Sequence, residues 1–280
     1  MSIKVGGLDD AAAHQAIDAG FAVIEEIHRL MSFHEGASDV SALNRGASTA
    51  TVAVAAHTYH VIRGALEFSA ASGGVFDVTI GRQLVAWGFL PRPDNAPDPD
   101  PQASWRDIEL LENGQIRFRR PLWIDLGGIA KGYAVDCAVE KIAALGAMQC
   151  SVNAGGDLRV AGPDAERVLL RTDAARDTVP PDTVPVLEID NGSLASSSGR
   201  EQRWTYQDAD VGPHVHGGRA VTTGLDSFVS VVAERCMVAD ALTKVVLAQG
   251  DEAERLLQDY GATAYIHNAR GDWRVLGRGK

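Results

Sequence analysis

One stretch constrains this chain more than any other: Asp125-Leu-Gly-Gly-Ile-Ala-Lys131-Gly-Tyr-Ala-Val-Asp136. An apolar, strand-like run from Phe118 to Leu126 meets a Gly-Gly turn, and a helix over 129–146 is predicted directly after it. Ala134, Cys137, Ala138, Ile142 and Leu145 carry the helical spacing. The start of such a helix has free backbone N–H groups and the positive end of its dipole. A lysine in the first turn adds a full charge, and glycines let a ligand approach the backbone. The pattern reads as a phosphate or pyrophosphate site, or as a plain turn before a helix. Its spacing is neither that of a Walker A loop nor that of a GxGxxG fingerprint.

A chain of 280 residues, 45% apolar and 22% charged, can bury a sizeable core. The net charge of −11, with no basic stripe, argues against nucleic acid and anionic membrane surfaces as partners. No apolar run reaches the roughly 20 residues a spanning helix needs. Three cysteines without CxxC spacing argue against a zinc site and a disulfide framework.

Amphipathic helices are predicted over 10–31 (Ala13, Ile17, Phe21, Ile24, Ile27 and Leu30 on one face) and over 51–70. A strand is expected from Val75 to Gly81. A proline-rich loop follows over 91–104, then strands at 105–111 and 115–126 joined at Asn113-Gly114. Further strands are expected near 150–154, 157–161, 186–190 and 227–233, with a loop from Asp173 to Pro185. Helices at 235–249 and 251–260 and a hairpin at 262–267 and 273–277 complete the reading. Hairpins mixed with helices, without regular βαβ alternation, indicate an α+β fold.

Several groups could carry chemistry. Asp240 and Lys244 share a helix face, as a surface ion pair or as part of a site. His214 and His216 lie in Pro213-His-Val-His-Gly-Gly-Arg219, as idle loop residues or with one as a base, since an imidazole titrates near neutrality. Asp77 and Thr79 fall on one face of the expected strand, for capping or for a ring or ribose edge. Asn153, Gly155, Gly156 and Asp157 form a strand–turn, either a plain hairpin or a close approach to a nucleotide.

In chain order, Met31-Ser-Phe-His34 through Asn44, Gly73-Gly-Val-Phe-Asp77-Val-Thr79, Trp87-Gly-Phe89, the strand–turn–helix, Ser151-Val-Asn153 through Arg159, Ser196-Ser-Ser-Gly199 and Ala239-Asp240-Ala-Leu-Thr243-Lys244 closely resemble the ApbE family of FAD:protein FMN transferases. The resemblance runs from about residue 31 to about residue 250 of what reads as one domain, 1–280. It implies two packed α+β halves, related to the T-fold, with a flavin-nucleotide cleft between them. It implies transfer of FMN from FAD to a threonine or serine hydroxyl of an acceptor flavoprotein, with AMP leaving. FAD pyrophosphatase activity and FAD binding without turnover are the alternatives.

By the same resemblance, Met31, His34, Asp77, Thr79, Gly128, Lys131, Asn153, Gly155, Gly156 and Asp157 would bind the flavin nucleotide. Lys131, Asp240 and His214 would serve catalysis, with His214 as the base. Mg²⁺ would be held by Asp240 and the Gly128 carbonyl. The chain departs from the family at three points, the first being His34, which stands where relatives often place a tyrosine thought to stack on the flavin. Lys244 stands where a metal-ligating threonine is expected, and Gly217-Gly218 replace an Asp-Pro. Thr243 is one step, about 100° of helix, away from the ligand position. Without an export signal in the sequence as written, a cytoplasmic protein is expected. A periplasmic or inner-membrane-attached one is expected if the N-terminus is truncated.

Overall fold

The computed structural model describes residues 1–170, 184–200 and 202–277. The chain opens with strand β1 (Ser2–Gly6) and helix α1 (Asp10–Met31). Asp9 starts the helix by accepting the Ala12 N–H at 2.8 Å, one of the donors a first turn leaves free. The buried face is Ala16, Gly20, Ile24, Ile27 and Leu30. Phe21, expected on that face, is instead 40% exposed and lies at the rim of the cleft described below.

Helix α2 (Asp39–Gly46), strand β2 (Val52–Ala53) and helix α3 (Ala56–Ala71) follow. The helix expected over 51–70 starts later because residues 52–53 pair with a strand. The strand expected at Val75–Gly81 does not form. Asp77 Oδ1 accepts from the Thr79 amide at 2.8 Å and its hydroxyl at 2.7 Å. This local bonding turns the chain into a single 3₁₀ turn at Val78–Ile80, and helix α4 (Gly81–Ala86) comes next.

Strands β3 (Ile108–Leu111) and β4 (Gln115–Phe118) form the expected hairpin. Asn113 (φ 57°) and Gly114 (φ 70°) both take the left-handed conformation that a tight hairpin turn requires. The strand expected to continue to Leu126 ends at Phe118. Leu122, Trp123, Ile124 and Leu126 are nevertheless buried. Asn44 explains how: its side chain accepts the Ile124 N–H at 2.8 Å and donates to the Ile124 carbonyl at 3.1 Å, in place of a neighbouring strand.

The remaining elements are α5 (Ala130–Ala144), β5 (Gln149–Ala154), β6 (Asp157–Ala161), β7 (Glu166–Leu169), β8 (Val186–Ile189), β9 (Ser193–Ser198), β10 (Trp204–Tyr206), β11 (Ala209–Val211), β12 (Val215–His216), β13 (Val221–Thr222), β14 (Phe228–Ala233), α6 (Cys236–Gln249), α7 (Glu254–Asp259), β15 (Thr263–His267) and β16 (Trp273–Leu276). The expected loop from Asp173 to Pro185 falls almost wholly outside the described residues.

Seven strands form one sheet in the order β1-β5-β6-β9-β14-β15-β16, every neighbouring pair antiparallel. A smaller sheet, β2-β4-β3, belongs to the segment that carries α2, α3 and α4. The fold is α+β. Alternation along β14 sends Val229 and Val231 to the main core and Val232 to the opposite face, where Leu158, Val160 and Leu194 form a second cluster. Helices α5 and α6 pack against the sheet and against each other. Gly132 permits their close approach, since a methyl there would collide with the Cys236 carbonyl.

The two helices cap one another. Asp136 of α5 accepts the amides of Cys236 (2.9 Å) and Met237 (3.0 Å) at the start of α6. Asp240 of α6 accepts the Gly132 amide (3.1 Å) at the start of α5.

Candidate functional site

A cleft of about 1030 Å³ lies between the main sheet with its helices and the smaller lobe. The end of α1 supplies Met31 and His34, and the turn before α4 supplies Phe76 and Asp77. The Gly127–Gly128 turn and Lys131 come from the start of α5. Gly155, Ser196–Ser198, His214 and Lys244 close the circle.

Of the residues expected to bind nucleotide, Met31, His34, Asp77, Gly128, Lys131 and Gly155 face this cleft. Thr79 faces an adjoining pocket of about 340 Å³ and is bonded to Asp77. Asn153 Oδ1 accepts the Gly156 amide at 3.1 Å, which shapes the turn that presents Gly155. Asp157 and Asp240, 1% exposed at their side chains, stand behind the two lysines.

Four charges make up the floor of the cleft. Lys131 Nζ donates to Asp157 Oδ2 at 2.6 Å. Lys244 Nζ donates to Asp240 Oδ1, and to Ser197 Oγ at 3.1 Å. The Asp240–Lys244 pair is therefore a buried one, not the exposed pair that spacing alone allowed. Burial would raise the Asp240 carboxyl, but the Lys244 and Lys131 ammoniums outweigh it and hold it below the ordinary carboxylate value. Asp157 goes the other way. Burial and the nearby Asp240 charge push it up to about 6, against the pull of Lys131 and Lys244. Burial works against the Lys131 ammonium, yet Asp240 and Asp157 keep it above its usual value.

At the start of α5 the Gly132 amide serves Asp240, while Gly127, Gly128 and Lys131 of the same turn line the cleft.

His214 overhangs this floor on a hairpin whose Val215 packs with Val211, Leu84 and Trp87. His214 Nε2 lies 3.1 Å from the Ser198 carbonyl. A carbonyl only accepts, so Nε2 carries the proton and Nδ1 keeps its lone pair. Burial, then the Lys244 charge, lowers the imidazole to about 4, so the ring is neutral at pH 7. His216, two residues on, does not line the cleft.

The glycines after His216 have a structural reason. The Gly217 and Gly218 amides donate to the carbonyls of Val75 and Gly74, both at 3.0 Å, and a side chain on Gly217 would collide with Asp77. A proline at 218 would have no N–H to give.

Sequence reasoning assigned no role to Asp125, Ser197 or Ser198. Asp125 lines the cleft, accepts the Gly127 amide at 3.2 Å, and has its carboxyl raised by burial. The signal was present: Asp125 heads the most informative motif, and the serines form the Ser196-Ser-Ser-Gly199 run.

The donor set at Asp240 does not fit a divalent cation. Mg²⁺ takes hard oxygens in an octahedron. Here one Asp240 oxygen is bonded to an ammonium and the other to an amide. Thr243, buried, gives its hydroxyl to the Asp240 carbonyl at 2.7 Å and meets Ser197 Oγ at 2.7 Å. The Lys244 stem lies beside Gly128, its Cε 3.5 Å from where a Cβ would stand. The Lys244 side chain thus touches both residues expected to hold the metal, its ammonium bonding Asp240 and its stem lying beside Gly128. Among the described residues no three of His, Cys, Asp and Glu gather as metal donors.

The profile of the ApbE family matches residues 1–266. This chain belongs to the ApbE family. An FAD:protein FMN transferase of Vibrio cholerae is 28% identical over 242 residues, 82% of this chain and 72% of that protein. Another, from Haemophilus influenzae, is 24% identical and spans 85% of this chain and 73% of its own length. Among solved structures, the ApbE protein of Thermotoga maritima superposes with a TM-score of 0.81 at 22% identity, over 97% of this chain and 91% of that one. The flavin transferase ApbE of Vibrio cholerae gives 0.78 at 20% identity, over 99% and 93%. This ApbE-family chain thus shares their fold. Among its described residues no helix is long and apolar enough to cross a membrane.

Proposed function

We propose that the cleft binds FAD and transfers its FMN part to the hydroxyl of a threonine or serine on an acceptor flavoprotein, releasing AMP. The observation that carries this reading is the grouping of two ammoniums and one neutral histidine around a single cleft in an ApbE-family chain. The pyrophosphate of FAD is the part of the substrate that needs positive charge, and Lys131 and Lys244 supply it. Asp157 and Asp240 hold those ammoniums in place. Met31 and His34, at the end of α1, are assigned to the flavin ring, and Asp77, Gly128 and Gly155 to the walls of the nucleotide site. Thr79, Asn153, Gly156 and Asp157 support that wall from behind.

The step is an in-line displacement. The acceptor oxygen bonds to the FMN-side phosphorus, the bond from that phosphorus to the bridging oxygen breaks, and AMP departs with the bridging oxygen. The hydroxyl proton goes to His214 Nδ1. In the empty cleft that imidazole is a weak base because burial and Lys244 both disfavour its charged form. A bound pyrophosphate, by answering the lysine charges, raises its basicity when it is needed. General-base help of this kind is worth roughly 10²–10⁴-fold. No step is assigned to a metal ion.

The test is incubation of the protein with FAD and candidate acceptor proteins, read by in-gel flavin fluorescence. A fluorescent acceptor band is expected with the wild type. With His214→Ala the band should form about 10²–10⁴-fold more slowly. Equal rates for the two proteins would remove His214 from the mechanism.

A further inference from the structure

We infer that Lys244 is the protein's own cation for the FAD pyrophosphate, and that FAD binding and FMN transfer proceed here without a divalent ion. The inference rests on the FAD reading above and adds what neutralises the substrate.

Its ground is the way the ammonium is built in. Lys244 Nζ is held by Asp240 Oδ1 and, at 3.1 Å, by Ser197 Oγ. Its side chain is only 17% exposed, so its position is fixed rather than that of a wandering surface lysine. Its stem lies against Gly128, in the turn that opens α5, and the residue lines the cleft. One oxygen of Asp240 is bound to this ammonium and the other to the Gly132 amide. Thr243, the hydroxyl next along the helix, is turned into the core and shared between Ser197 and its own helix.

Charge points the same way. Asp240 and Asp157 carry two negative charges, and Lys244 and Lys131 carry two positive ones, so the floor is already balanced. A divalent ion entering there would have to compete with two ammoniums already paired to the two carboxylates. An incoming pyrophosphate meets the same two ammoniums favourably.

The experiment uses the purified full chain, in three parts. The first is calorimetric titration of the FAD-free protein with Mg²⁺ alone. The second is FAD titration in EDTA and again in millimolar Mg²⁺. The third is acceptor labelling under both conditions. Lys244→Thr and Lys244→Arg run alongside the wild type, with thermal melts to confirm that each is folded. The wild type is expected to show no Mg²⁺ binding heat, the same FAD affinity in both buffers, and equal labelling. Lys244→Thr is expected to lose about tenfold or more in FAD affinity in EDTA and to recover it with Mg²⁺. Lys244→Arg, which keeps the charge, is expected to stay insensitive to EDTA.

Mg²⁺ binding by the wild type, or FAD affinity or labelling that needs Mg²⁺, overturns the inference while leaving the transferase reading intact. So does a Lys244→Thr variant indistinguishable from wild type. FAD bound equally in EDTA and Mg²⁺, with no acceptor labelled in either, retains the lysine as the pyrophosphate's cation and defeats the transferase reading. Failure to bind FAD in either buffer overturns both.

Discussion

Helices α5 and α6 carry two buried aspartates in reciprocal positions, and their surroundings differ. Asp136 caps α6 and Asp240 caps α5. Asp136 gives its remaining capacity to Arg159 at 2.9 Å and Arg235 at 3.4 Å, and neither arginine lines the cleft. Asp240 gives its remaining capacity to Lys244, which does, and its field also reaches Lys131 and Asp157. The same element of architecture, a carboxylate at a helix start, is a clamp in one place and an anchor for substrate-facing charge in the other. What distinguishes them is where the counter-ions point.

The comparison can be broken most forcefully at Asp136. Asp136→Ala removes two caps and leaves Arg159 and Arg235 with Glu140 alone, and is expected to cost about 2–4 kcal/mol of stability. Urea unfolding measures this. A loss below about 1 kcal/mol would mean that Asp136 is not the clamp described.

Asp240→Ala should cost less stability, about 1–3 kcal/mol for the Gly132 amide left without its acceptor. The cleft-facing ammoniums can turn to water. Its larger effect should be on FMN transfer, with kcat falling more than FAD affinity, because the ammoniums lose their fixed positions. If FAD affinity falls and kcat does not, Asp240 acts in binding alone.

Gly132→Ala strikes both caps at once. The added methyl would meet the Cys236 carbonyl and stand 2.9 Å from Asp240 Cβ. A stability loss of about 1–3 kcal/mol is expected, with reduced transfer, whereas a neutral result would show that the helices have room to part.

The smallest effect is in pH dependence. Asp157 has its carboxyl raised to about 6, above the unfolded value, so its penalty is present above pH 6 and is relieved as pH falls below that. His214, lowered to about 4, does the opposite: the unfolded chain takes up a proton below about 6.5 that the native ring refuses, so stability is lost as pH falls. The two offset each other between about pH 6 and 4. Asp157→Asn removes one side, and stability should then fall more steeply over that window. An unchanged slope would contradict the assignment for Asp157.

How much of this was legible in the sequence follows the same physical divide. Helices α1, α5 and α6 and the β3–β4 hairpin were readable because apolar spacing and an Asn-Gly turn are local signals. Asp240 and Lys244 were placed on one face by spacing alone. The strand expected at Val75–Gly81 failed because the Asp77–Thr79 hydrogen bonds are stronger local instructions than apolar alternation. Strand β9, Ser193–Ser198, was not expected, since serines are poor strand signals. Its serines are used for pairing: Ser196 with Ser230 at 2.8 Å and Ser197 with Thr243 at 2.7 Å. Leu122, Trp123, Ile124 and Leu126 are buried although the strand expected there stops at Phe118, and Ile124 bonds to the Asn44 side chain, 80 residues away in sequence. Tertiary partners of that kind leave no periodic trace. The site was legible as a set of motifs, while the direction in which each side chain points was not.

The most direct test of the central claim is product stoichiometry. The protein is incubated with FAD and an acceptor protein, and AMP, free FMN and protein-bound flavin are measured together. The account expects AMP and covalently bound flavin to appear one for one, with little free FMN. Free FMN matching AMP, with no labelled acceptor, or FAD recovered unchanged, would contradict it.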